Sequence, residues 1–118
     1  MKEKIHVWLD EIEKKVIVPQ YIIALNFGLY DTEKGYCIYL VGAREYDDNN
    51  DSWAEDAESL PNDFFIEIET NCKWEAFQKQ VEQVLSNEIR KRKDNPSSLF
   101  YGKIVTTGFD DGSLTRIV

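Results

Sequence analysis

The chain has 118 residues, 42% hydrophobic and 13% aromatic, with 22 acidic against 14 basic side chains and a formal charge of -8. That is one domain, large enough to bury a core without disulfides or metals, and too aromatic to be disordered. The acidic balance argues against direct nucleic-acid binding, whose affinity comes mostly from phosphate contacts. No apolar run reaches membrane-spanning length, so no membrane association is expected.

The N-terminus, Met1-Lys2-Glu3-Lys4, leads into a charged helix without the apolar core of a signal peptide, so a cytoplasmic location is expected. Residues 3–16 read as that helix: Ile5, Trp8, Leu9, Ile12 and Val16 recur at helical spacing. Pro19 ends it. Residues 21–30 alternate as a strand, with Tyr21, Ile23, Leu25, Phe27 and Leu29 on one face. A turn at 31–35, ending in Gly35, leads to a second strand from Tyr36 to Ala43, apolar on both faces. The two predict an antiparallel hairpin.

A loop follows over about 46–63, closed by Pro61-Asn62-Asp63, and then a third strand, Phe64 to Ile68, with Phe64, Ile66 and Ile68 inward. Residues 73–93 predict a long helix capped by Asn71. Its apolar stripe comprises Trp74, Phe77, Val81, Val84, Leu85 and Ile89, and Asp94-Asn95-Pro96 stops it. Two final strands, about 100–108 and 113–118, meet at Asp111-Gly112, a short-hairpin signal. The order α-β-β-β-α-β-β predicts a single α+β domain spanning 1–118. In it the two helices pack on an antiparallel sheet of about five strands.

The charge is not spread evenly. From Glu45 to Cys72 there are ten carboxylates and no Lys, Arg or His. Asp63, Glu67 and Glu69 fall on a strand and its entry turn, an ordinary use of charge. Glu45, Asp47, Asp48, Asp51, Glu55, Asp56 and Glu58 cluster in the loop around Trp53, and such a concentration raises solubility, binds a cation or faces a positive partner. One reading of Trp53 has it pin the loop to the sheet. The other has it anchor a partner, with the carboxylates steering a basic surface toward it.

The same loop has a calcium-like spacing: Asp47, Asn49, Asp51, Glu55 and Glu58 stand at ligating offsets. Ser52 occupies the place that needs glycine, and the flanks are not paired helices, so the motif lacks its context. The other candidates read as structural. Arg90-Lys91-Arg92-Lys93 solvates the end of a helix and complements its dipole. His6, the single histidine, reads as a surface residue, and Cys37 and Cys72 as buried thiols. No nucleophile elbow, phosphate loop or assignable carboxylate pair appears, so no catalytic residue and no cofactor are expected, and the chain reads as a non-enzyme.

Two short motifs, Asp51-Ser52-Trp53-Ala54 and Thr107-Gly108-Phe109-Asp110-Asp111-Gly112-Ser113-Leu114, come with an apolar hairpin and an acidic loop. In this the chain resembles small acidic bacterial proteins of the immunity type found in toxin–immunity systems. The resemblance implies an inhibitor that covers the basic active site of a cognate toxin. The contact would fall on Asp47, Asp48, Asp51, Trp53, Glu55, Asp56 and Glu58. A calcium-binding module and a self-associating structural domain are the alternatives, so monomer and homodimer both stay open.

Overall fold

The computed structural model describes residues 1–56, 58, 59 and 64–118. The side chains of Glu55, Asp56, Glu58 and Ser59, and the expected turn at Pro61-Asn62-Asp63, lie outside the described residues. The elements are α1 (Lys2–Lys15), β1 (Ala24–Thr32), β2 (Gly35–Ala43), a 3-10 helix (Asp51–Asp56), β3 (Glu58–Ser59), β4 (Phe65–Glu69), α2 (Trp74–Arg92), β5 (Ile104–Phe109) and β6 (Thr115–Arg116). This is the expected α+β domain, with one short strand, β3, added inside the acidic loop.

The sheet runs β3-β2-β1-β5-β6, and β4 shares the β2 edge with β3, so among the described residues six strands make a sheet five wide. β3 pairs with Val41 and Gly42, and β4 with Gly35 through Tyr39. One pairing departs from the expected antiparallel sheet. β5 lies parallel to β1, with Ala24 beside Ile104 and Leu29 beside Phe109. A parallel pair needs a long crossover, and β2, β4 and α2 supply it.

Both helices cover one face of the sheet. Alternation places Leu25, Phe27 and Leu29 of β1 and Tyr36, Ile38 and Leu40 of β2 on that face. They pack in one cluster with Ile5, Leu9 and Ile12 of α1 and Phe77, Val81, Leu85 and Ile89 of α2. Phe64, Ile66 and Ile68 join this cluster, as their spacing predicts. The first strand is shorter than read: it begins at Ala24, and Tyr21 and Ile23 are exposed.

Charge joins the helices as well. Arg92, whose side chain is only 10% exposed, pairs with Asp10 at 2.9 Å and with Glu13 at 2.9 Å. Its guanidinium holds the Asp10 carboxyl below the ordinary carboxylate range, mainly through their hydrogen bond. His6 Nδ1 contacts the carboxylate of Glu88, which is buried, and His6 Nε2 lies 3.3 Å from Asp10. The basic run at the end of α2 is therefore divided. Arg90 and Lys91 are exposed, as a helix terminus predicts, while Arg92 clamps α1 to α2. His6 is half exposed but belongs to this network.

Three local readings are corrected. The N-cap of α2 is Lys73, with no side-chain cap from Asn71. Trp74 does not join the buried stripe: it is 54% exposed, beside Phe109 at the end of β5. Cys37 is buried, but Cys72 is only partly so.

Candidate functional site

The acidic loop folds back over the sheet face that the helices leave open. Its backbone is shaped by two side-chain turns: Asp47 Oδ1 accepts the Asn49 N–H at 2.9 Å and Asn50 Oδ1 accepts the Ser52 N–H at 2.9 Å. Short side chains that bond two residues ahead mimic a backbone turn. The 3-10 helix follows and delivers Trp53 onto the sheet.

Trp53 is buried, 6% exposed, against Ala24 and Ala43. These two alanines are direct partners across β1 and β2, and their small side chains leave room for an indole. Tyr46 meets the indole edge-on at 5.2 Å, and Ile104 and Leu114 close around it. The indole pins the loop to the sheet, and it is not presented to a partner as an anchor.

Two of the carboxylates are committed to the C-terminal segment. Asp51 Oδ2 accepts the Leu114 N–H at 3.0 Å. Asp48 Oδ1 accepts from the Tyr46 hydroxyl at 2.6 Å and lies 3.3 Å from Arg116 Nη1. The Asp48 hydrogen bond is the main cause that raises the Tyr46 phenol above its ordinary pKa. The Arg116 guanidinium also lies over the Tyr46 ring at 5.5 Å. Asp47, Asp48 and Asp51 are nonetheless exposed.

These bonds bring the loop against the turn after β5, and with it two carboxylates of the Thr107–Leu114 motif that the sequence did not single out as contact residues. Asp110 and Asp111 are both exposed there. Asp110 accepts from the Tyr39 hydroxyl, while its N–H donates to Leu29 O at 3.1 Å. Burial, and then this bond to Asp110, pushes the Tyr39 phenol well above its ordinary pKa. Between turn and loop lies a recess of about 240 Å³ lined by Asn26, Tyr39, Asp51, Gly108, Asp110 and Leu114. Beneath it Gly28 and Gly108 are neighbours across β1 and β5, and both are covered: a Cβ on Gly108 would fall 2.6 Å from the Ser113 carbonyl oxygen. The Tyr39 ring lies over Gly28, where a Cβ would fall 2.0 Å from its Cζ.

On the other side of the same turn is a larger cleft, about 580 Å³, lined by Asp31, Trp74, Gln78, Phe109, Asp111 and Thr115. Trp74 forms one wall, meeting Phe109 edge-on at 5.9 Å. The structure thus brings Asp51 to Asp110 across the recess and sets Asp111 and Asp31 with Trp74 in the cleft beyond the turn, while Asp48 is paired with Arg116. Glu55, Asp56 and Glu58 belong to the same stretch of chain, but their side chains lie outside the described residues.

For the calcium reading, Asp47 and Asp51 each bond a backbone N–H. Among the described residues no three His, Cys, Asp or Glu side chains are grouped to hold a metal ion. No helix is long and apolar enough to cross a membrane. Compared with family models, curated proteins and solved structures, the chain matches none.

Proposed function

We propose that this protein is a non-catalytic, cytoplasmic binding protein of the immunity type that occludes a basic site on a toxin. The observation that supports the reading is the joining of two acidic segments from distant parts of the chain. Asp51 bonds the backbone at Leu114 and shares a recess with Asp110, next in the chain to Asp111. An acidic surface attracts a basic partner at long range and rejects acidic ones. Trp74 stands at its border with half its surface accessible, and Trp is the residue type most often found at the centre of binding energy. It takes the anchoring role that the sequence suggested for Trp53.

The test is to express the products of the neighbouring reading frames and to measure, against ionic strength, the association rate of any basic domain among them with this protein. Steered association falls steeply with salt. Asp47→Asn with Asp111→Asn should slow association, and Trp74→Ala should speed dissociation. None of these positions is buried, so the fold survives the changes. A rate indifferent to salt, with binding unchanged in all three variants, refutes the reading.

A further inference from the structure

β4 is bordered by β2 on one side, and among the described residues no strand borders the other. The even-numbered residues of this segment turn their backbone groups to β2: Phe64 O accepts from Leu40 N–H at 3.3 Å, and Thr70 N–H donates to Lys34 O at 3.1 Å. Antiparallel pairing alternates these directions residue by residue. The N–H and C=O groups of Phe65, Glu67 and Glu69 therefore point outward. One of them is engaged, since Lys4 Nζ donates to Glu67 O.

Between this edge and α1 runs a groove of about 540 Å³, walled by Val7, Trp8 and residues 64–66 and lined as well by the charged Glu3, Lys4 and Glu11. Val7 and Phe65 are 58% and 57% exposed, large apolar side chains facing open space. The indole N–H of Trp8, in the same wall, is buried with no acceptor among the described residues. An unsatisfied buried donor is costly.

We propose that the β4 edge receives an extended segment of a partner protein, added as a further strand, with apolar and basic side chains in alternation. The alternation follows from the two sides of the edge. Side chains on the helix side enter the apolar groove beside Val7, Trp8 and Ile66. Those on the other side fall next to Glu67 and Glu69, which with the exposed Phe65 alternate with the inward isoleucines. Lys4 reaches the edge with a flexible side chain and swings aside at little cost. A second copy of this chain fits poorly: in the centred antiparallel register, Glu67 would stand opposite Glu67, and like charges directly opposed are destabilising. The site uses none of the residues of the acidic surface.

The test is a nuclear magnetic resonance titration with an acetylated, amidated hexapeptide alternating valine and lysine. Two peptides serve as controls: the same residues in two blocks, and an alternating valine–glutamate hexapeptide. The proposal expects the alternating basic peptide to shift and protect the Phe65 and Glu67 amides and to move the Trp8 indole N–H. Val7→Glu should weaken binding about tenfold or more, since it sets a charge in the apolar groove. Glu67→Lys with Glu69→Lys should reverse the preference between the basic and acidic peptides. Asp47→Asn with Asp111→Asn should leave binding unchanged, which separates this site from the acidic surface. Three outcomes overturn the proposal: shifts confined to residues 47–51 and 110–115, equal binding of the blocked peptide, or sedimentation as a dimer that Phe65→Glu dissociates.

Discussion

Replacing Trp53 by alanine separates its two possible roles, because a loop pin and a partner anchor fail in opposite assays. A buried Trp removes roughly 150–250 Å² from water, which at about 25 cal/mol per Å² sets an upper bound near 4–6 kcal/mol. Alanine retains a small part of that burial. The loop also relaxes onto Ala24 and Ala43, which lessens the cavity cost, so the expected loss is about 3 kcal/mol, the low end for aromatic-to-alanine changes in cores. For a domain of this size that is a fall in Tm of about 10 °C. Urea unfolding followed by circular dichroism gives the free energy directly. Trp74→Ala, at a half-exposed site, is the control and should cost under about 1 kcal/mol. A Trp53→Ala variant within about 0.5 kcal/mol of the parent would refute the packing described around the indole.

Three further outcomes follow from other parts of the molecule. Gly35→Ala places a Cβ 2.0 Å from the Ile68 carbonyl oxygen, a backbone atom that moves only if the β2–β4 pairing opens. The cost should be about 2 kcal/mol, with faster hydrogen exchange at the Ile66 and Ile68 amides, and unchanged exchange would count against the register. Tyr39 has a folded pKa raised above the ordinary 10.0, so its contribution is fully present below that value and is lost as pH rises beyond it. Tyr39→Phe should flatten the decline of Tm above about pH 10, read from melts across the alkaline range. Arg92→Ala removes the partner of Asp10 and Glu13 and should cost about 2 kcal/mol, while Lys91→Ala costs almost nothing. Because Asp10 is held below its ordinary 3.8, its share of stability is present above that value and is lost as pH falls through the lower folded pKa. In the Arg92 variant that part of the acid limb should disappear from a melting series.

Much of the fold was legible because it is local. Alternation along β1 and β2 places Leu25, Phe27, Leu29, Ile38 and Leu40 on one face, and the helical stripe of α2 finds Phe77, Val81, Leu85 and Ile89. Periodicity reports which side of an element is apolar, and that holds wherever the element is covered. At the ends of elements it fails. Trp74 continues the stripe of α2 in sequence, yet it sits in the first turn, at the end of β5, half exposed. Trp53 fails in the other direction: its neighbours in sequence are charged, but the two alanines that receive it lie on separate strands, at positions 24 and 43.

The site was legible in part for the same reason. The density of carboxylates around Trp53 marks a loop, and composition alone shows it. Its junction with Asp110 and Asp111 depends on β5 lying parallel to β1, a pairing between residues about eighty positions apart. No local pattern encodes that distance, because either direction of β5 would bury Val105 and Phe109 equally well. By itself the sequence determined the chain's charge, its helices, its central hairpin and the inward face of the strand at Phe64–Ile68, since these follow from side-chain chemistry at short range. Only the tertiary structure decided which aromatic is accessible, which cation clamps the helices and which acidic segments share a surface, since these depend on what packs beside what.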